Sequence, residues 1–143
     1  MGRMMGWQAR LVSYMTDCHT RPFSYGTHDC ALFAAGAVAA MTGHDPAAEW
    51  RGRYTTQQGG FRVLRRAGFR DHIELVAAQF PEIPVAQALP GDLAAIDAEG
   101  NPEPGPALGP ALGVVQGAAI YVLKPDGLGL MPRNAATRAF RVN

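Results

Sequence analysis

The chain has 143 residues, 48% of them apolar, and a formal net charge of only +1. This length and composition are typical of one globular domain with a sizeable core, so we expect a single domain over residues 1–143. The balanced charge argues against a nucleic-acid-binding protein, and the longest apolar run, from Cys30 to Met41, is too short to insert across a membrane.

The two cysteines, Cys18 and Cys30, raise the questions of oxidation and metal binding. The N-terminal residues lack the apolar core of a signal peptide, so we expect the product to start in a cytoplasm. Two cysteines in such a chain are expected to be free thiols, and a disulfide between them is the alternative. Cys18-His19 and His28 with Cys30 supply soft ligands, but their spacing differs from that of zinc sites. We expect no metal and no cofactor.

Helices are predicted through the first 80 residues. Apolar residues recur at three-to-four spacing from Trp7 to Met15, and this first helix should end before Arg21 because Pro22 follows. Three later helices are predicted: a short one beginning at Pro46, one that follows Gly60 and closes at Gly68, and one from Ile73 to Phe80.

The segment from Cys30 to Met41 is predicted to be a buried central helix, because its side chains are almost all apolar. Asp29 is a good N-cap residue, and Gly43 is a natural stop. Cys30 would then lie in the first turn, where the positive end of the helix dipole favours the thiolate. A cysteine in this position is either a nucleophile or an inert core residue.

The second half of the chain is predicted to be a small antiparallel sheet. It contains short apolar runs, a turn at Lys124-Pro125-Asp126-Gly127, and a proline-rich loop at 101–106. The runs are Leu93–Ile96, Leu112–Val115, Ala119–Leu123, Leu128–Met131 and Ala139–Val142. Helices over about 1–80 and strands over about 90–143 indicate an α+β domain.

Several polar side chains have either a chemical or a structural role, and the sequence allows both interpretations. His28, two residues before Cys30, is a candidate base or a turn residue. His44 and His72 follow or precede aspartates at predicted helix starts, and we expect both to be solvated or to cap helices. Asp92 either orients a base or forms a turn after Pro90-Gly91.

A basic and aromatic set is a candidate partner-binding surface, since aromatic residues and arginine are enriched at protein–protein contacts. The alternatives are a solvated helix face for the arginines and a core position for the tryptophan. The set comprises Trp50, Arg51, Arg53, Tyr54, Arg62, Arg65 and Arg66.

Four motifs in order resemble the NlpC-type cell-wall peptidases, which are papain-like cysteine endopeptidases that cut bacterial peptidoglycan. The resemblance covers roughly 21–122. The motifs are Phe23-Ser24-Tyr25-Gly26, Asp29-Cys30 opening a helix, Pro90-Gly91-Asp92-Leu93, and Leu112-Gly113-Val114. Segments around His28-Asp29-Cys30, Trp50-Arg51-Gly52-Arg53-Tyr54 and 60–66 are similar to small phage tail proteins of the same superfamily.

The resemblance implies a cysteine nucleophile, a histidine on the facing strand and a third polar residue that orients the histidine. Cys30 aligns with the nucleophile. Ala111 occupies the position of the histidine, and the apolar Val122 or Leu123 that of the orienting residue. Loss of the general acid–base group would remove a factor of about 10²–10⁴ in rate.

The resemblance therefore predicts an α+β, papain-like NlpC-type fold, with the cysteine helix packed on a small antiparallel sheet. It implies a phage tail-tip or baseplate component with a catalytically degenerate site, assembled in the bacterial host cytoplasm, carried in the virion tail and bound to other tail proteins. The alternative is an active peptidoglycan endopeptidase that assists genome entry, with Cys30 as nucleophile and His28 as base. A third hypothesis is an amidase or transferase that takes a different acyl group on Cys30.

Overall fold

The computed structural model of the chain describes residues 2–101 and 109–143, where four α-helices precede a six-stranded sheet. The helices are α1 (Trp7–Cys18), α2 (Cys30–Thr42), α3 (Gln57–Arg66) and α4 (His72–Gln79). The strands are β1 (Glu82–Ile83), β2 (Leu93–Ile96), β3 (Ala111–Val115), β4 (Ala119–Lys124), β5 (Gly127–Pro132) and β6 (Ala136–Phe140). The α+β prediction is confirmed. The predicted proline-rich loop lies almost wholly outside the described residues.

The strand order in the sheet is β1-β6-β2-β3-β4-β5, and every neighbouring pair is antiparallel. β2 and β3 lie at the centre, and all of their residues are buried. The predicted turn between β4 and β5 is confirmed, since Lys124 pairs with Gly127 across it. β1 was not predicted, because a two-residue edge strand beside Pro81 has no period of its own and exists only through pairing with β6.

The helix α2 packs against β3 of the sheet and against α1. Its ends match the prediction, with Asp29 as N-cap and Gly43 in the left-handed conformation at its C-terminus. The α1 side chain of Tyr14 donates a hydrogen bond of 2.8 Å to the carbonyl oxygen of Phe33 and stacks on its ring. The central helix is therefore packed against both the sheet and another helix, as its almost uniformly apolar surface requires.

The short helix predicted at Pro46 is wrong, because residues 46–52 form successive turns. Trp50 N–H donates to Ala47 O and Arg53 N–H donates to Trp50 O, so the bonds span three residues rather than four. Gly52, with φ of 75°, then reverses the chain. These turns are stabilised by tertiary packing rather than by helical hydrogen bonds, because Trp50 and Ala47 are buried in a small cluster with Leu32 and Ala35 of α2.

Asp92 has the structural role rather than that of orienting a histidine. Its carboxylate is fully buried and accepts bonds from the backbone N–H groups of Leu89 and Val142 and from the side chains of Arg3 and Arg141. It thereby joins the start of β2 to both ends of the chain. None of the helices in the described part of the chain is long and apolar enough to cross a bilayer.

Candidate active site

Cys30 is the first residue of α2, and the turn before it is tied together by the Asp29 carboxylate. One oxygen of Asp29 accepts from the N–H of Leu32 at 3.0 Å, and the other accepts from the N–H of Gly26 at 3.0 Å and from the hydroxyl of Tyr54. Gly26 has φ of 86°, and a Cβ there would lie 1.8 Å from Tyr54 O. Only glycine therefore allows the Tyr54 segment to approach the turn this closely.

The imidazole of His72 lies beside the Cys30 sulfur, with 3.9 Å between Nε2 and Sγ. This is a correction, because we expected His72 to be solvated or to cap a helix. The N-cap of α4 is Asp71, whose carboxylate accepts from Glu74 N–H at 2.9 Å. His72 is therefore the first helical residue and not the cap, and its ring contacts Cys30 and Pro110. The two side chains are 42 positions apart, and no short motif in the sequence connects them.

The hydrogen on Nε2 of His72 is assigned by a second contact, 2.7 Å to the carbonyl oxygen of Pro110. A carbonyl can only accept, so Nε2 must carry the hydrogen, and the lone pair of the neutral ring is on Nδ1. Burial lowers the pKa of His72, although the bond to Pro110 and the carboxylate of Asp71 act in the opposite direction. The favoured form is therefore a neutral ring that presents N–H, rather than a lone pair, to the sulfur.

The histidine ring reaches the start of β3, next to the position where the family resemblance places the catalytic histidine. Pro110 directly precedes Ala111, which is buried and pairs with Ile96. Val122 and Leu123 are buried apolar residues of β4, as their sequence indicates. Within residues 2–101 and 109–143, no carboxylate hydrogen-bonds to the His72 ring, so an imidazole is supplied from a helix but lacks an orienting acid.

The other candidate base, His28, is buried and packs its ring edge-on against Phe33, with 6.2 Å between ring centroids. Its Nε2 has no hydrogen-bond partner among the described residues. Burial, assisted by Arg21, lowers the pKa of His28 to about 4. Since the unfolded chain takes up this proton near pH 6.5, His28 should reduce stability as the pH falls from about 6.5 to about 4.

Cys30 and His72 line a pocket that opens between α2, α3 and α4. Its cavity volume is about 100 Å³, and most of the lining is apolar. Within the described residues, no three His, Cys, Asp or Glu side chains are grouped to hold a metal ion. Cys18 and Cys30 do not form a disulfide; both are buried, and burial raises the pKa of the Cys18 thiol.

The structure divides the predicted partner surface into two parts. Trp50 is buried, and Tyr54 is half-buried against Asp29. Arg51 is held by Asp45 at 2.7 Å, and the same ion pair raises the pKa of Arg51 despite the opposing effect of burial. These three residues stabilise the turns after α2. The exposed members are Arg53, Arg62, Arg65 and Arg66.

The family model described as "Domain of unknown function (DUF6950)" matches residues 2–142, which include the helices, the sheet and the Cys30 pocket. No curated protein matches the sequence. Because the family model covers nearly the whole chain, this protein belongs to the DUF6950 family.

Proposed function

We propose that the chain is a component of a phage tail tip or baseplate, built on a papain-like, NlpC-type scaffold with a catalytically degenerate cysteine site. The scaffold assignment is supported by Cys30 at the start of a buried helix that packs on β3 of an antiparallel sheet. It is also supported by the order of the elements that follow the cysteine helix. A turn at Asp92 leads into β2, and the next strand, β3, contains Gly113.

The observation that carries the degenerate site is the 2.7 Å contact between Nε2 of His72 and Pro110 O. A ring nitrogen that already holds a hydrogen cannot accept the Cys30 proton. The thiolate, rather than the thiol, is the nucleophile of a cysteine peptidase, so catalysis needs a group that takes the thiol proton. Without a general base, and without an acid to protonate the leaving amine, the rate falls by about 10²–10⁴.

The contact with other tail-tip or baseplate proteins is assigned to the exposed arginines of α3. Arg62, Arg65 and Arg66 are all exposed on this helix, and Arg65 lies over the Phe61 ring at 5.9 Å. Arginine beside a half-buried aromatic ring is a composition found at protein contacts. The protein would be assembled in the host cytoplasm and carried in the virion tail.

Substitution of all three arginines by alanine should reduce the amount of the protein in purified tails, while the chain still folds. Arg70→Ala is the matched control, since its side chain is 83% exposed and lies beyond the end of α3. Immunoblotting of purified particles against cell lysate measures incorporation. Equal incorporation of the triple variant and the control would remove α3 as the contact surface.

The second candidate function is an active peptidoglycan endopeptidase, and the 3.9 Å between Cys30 Sγ and His72 Nε2 favours it. A substrate that displaces the Pro110 carbonyl would let the ring proton move to Nδ1. Nε2 could then take the thiol proton, the sulfur would attack the peptide carbonyl, and the C–N bond would break as the amine leaves with that proton. Water would hydrolyse the resulting thioester.

Release of fragments from purified peptidoglycan separates the two candidates. We expect wild-type protein to release no more than Cys30→Ala, with Cys18→Ala as the control for loss of a buried cysteine outside the pocket. Release that requires both Cys30 and His72 would establish the endopeptidase and overturn the degenerate site. Release that requires Cys30 and His28, but survives His72→Ala, would assign the base to His28 instead.

A further inference from the structure

One aromatic ring of α3 belongs to both the cysteine site and the outer surface. Phe61 lines the Cys30 pocket, and it also lines a second, surface cavity together with Gln58, Arg62 and Arg65. On the surface side, the Arg65 guanidinium lies 5.9 Å from the centre of the Phe61 ring. A shift of this ring from outside would therefore change the wall of the pocket as well.

On the pocket side, Phe61 packs against His72 and against the residue before Pro110. The ring centroids of Phe61 and His72 are 6.3 Å apart, with 52° between the ring planes. A Cβ on Gly109 would lie 3.3 Å from Phe61 Cζ, so the ring also packs on the backbone that leads into Pro110. Asn101 holds the same backbone, because its Nδ2 donates to Gly109 O at 3.0 Å. These two contacts support the carbonyl that lies 2.7 Å from His72 Nε2.

The outer face of α3 carries positive charge that nearby carboxylates do not compensate. Arg62, Arg65 and Arg66 are exposed, and the helix contains no acidic residue. Within residues 2–101 and 109–143, no ion pair joins any of the three to a carboxylate. Carboxylates of a partner are the complementary groups, since they accept paired hydrogen bonds from guanidinium. A carboxylate that binds Arg65 competes with the Phe61 ring for the same guanidinium.

We propose that Phe61 couples the two sides: an acidic segment of a partner protein, bound to the α3 arginines, shifts the ring and releases His72 from the Pro110 carbonyl. The hydrogen on Nε2 then leaves to water while Nδ1 takes one up from water. The free Nε2 accepts the Cys30 proton, which gives an imidazolium and a thiolate. A partner shifts an equilibrium only if it binds one form more tightly, and competition for Arg65 supplies that difference.

The inference rests on the proposed function for the contact at α3, and it adds that docking there raises the reactivity of Cys30. Alkylation by iodoacetamide reports this reactivity on the isolated chain, because the thiolate is the nucleophile. Intact mass gives the rate, and peptide mapping separates Cys30 from Cys18. The assay needs neither tails nor peptidoglycan, so a failed coupling is distinguished from a failed contact, which the incorporation of the arginine variant measures.

Phe61→Ala should raise the rate at Cys30 near pH 6 by several-fold to about tenfold, the factor that one net hydrogen bond represents. Because this truncation also widens the pocket, the decisive comparison is Phe61→Ala with His72→Ala added, in which the increase should vanish. An increase that persists without His72 would show only greater access to the sulfur and would overturn the coupling. The variants keep Asp29, Asp71 and Tyr54, which also act on Cys30 or His72.

Asn101→Ala releases the same carbonyl from a residue outside the pocket lining, so it should give the same His72-dependent increase. Asn134→Ala is the matched control, since Asn134 is exposed in the turn before β6, and it should react like the wild type. Circular dichroism confirms that each variant is folded. Wild-type rates in folded Phe61→Ala and Asn101→Ala would overturn the inference.

Hexaglutamate at low ionic strength tests the partner side, with hexaserine as the uncharged control. Hexaglutamate should raise the wild-type rate at Cys30 several-fold. The double variant Arg62→Ala, Arg65→Ala should not respond, whereas Arg70→Ala, at an exposed site beyond the end of α3, should respond like the wild type. Equal wild-type rates with the two peptides, or an equal response of the double variant, would overturn the acidic partner as the effector.

Discussion

Replacing Asp92 with asparagine should strongly destabilise the fold, because this buried carboxylate is the common acceptor for four donors. One oxygen accepts from Arg3 at 3.0 Å and from Val142 N–H at 3.0 Å. The other accepts from Leu89 N–H at 2.9 Å and from Arg141 at 3.1 Å. Asparagine keeps one acceptor oxygen and turns an NH₂ group toward two donors.

The magnitude follows from the two bonds lost. Hydrogen bonds to charged groups each contribute about 1.5–3 kcal/mol, and breaking a buried ion pair costs about 3–5 kcal/mol. The side chains of Arg3 and Arg141 are 14% and 29% exposed, so water can partly solvate them after the change. We therefore expect the lower end, about 3 kcal/mol, which for a domain of this size lowers the melting temperature by about 10 °C.

Urea denaturation followed by circular dichroism measures the free energy of unfolding of Asp92→Asn against the wild type. Asp126→Asn is the matched control, because that aspartate is exposed in the turn between β4 and β5. We expect the control to stay within about 0.5 kcal/mol of the wild type. If Asp92→Asn were no less stable than the control, the four bonds would contribute nothing net and this account of how the chain ends are held would be refuted.

Three further changes test the packing around the site. Between about pH 6.5 and 4, wild-type stability should fall by about 3 kcal/mol as unfolded His28 gains a proton, and His28→Gln should flatten urea titrations there; an unchanged slope contradicts the buried neutral ring. Tyr54→Phe should lower the free energy of unfolding by about 1–2 kcal/mol in the same assay, because it removes the hydrogen bond to Asp29. An unchanged free energy would mean that water replaces the tyrosine hydroxyl. Gly113→Ala should lower the free energy of unfolding by about 1–3 kcal/mol, because the added Cβ would lie 2.7 Å from Tyr121 O. A variant as stable as the wild type would show that β3 and β4 can separate there.

The helices and most strands were predictable because their signals are local. Asp29 caps α2 and Gly43 ends it, as the prediction required, and β2 spans the predicted Leu93–Ile96. β6 was predicted at 139–142 but covers Ala136–Phe140, because its bounds depend on pairing with β1 and β2 rather than on its own apolar run. Local pattern indicates that a strand exists, whereas its partner decides where it starts and ends.

The candidate site was predictable only in part, for the same physical reason. The position of Cys30 at a helix start is a local property, and so is the apolar character of Ala111, Val122 and Leu123. The identity of the imidazole beside the sulfur is not local. His28 is closest in sequence, but its ring packs on Phe33, whereas His72 reaches Cys30 from α4.

The sequence by itself determined a single α+β chain with a cysteine at the mouth of an apolar helix, because capping, helical periodicity and strand propensity act over a few neighbouring residues. The tertiary structure alone decided which side chains meet there. Packing of α4 beside the start of β3 brings the His72 ring within 2.7 Å of Pro110 O and 3.9 Å of Cys30 Sγ. Such a contact depends on how separate elements dock, and no spacing along the chain encodes it.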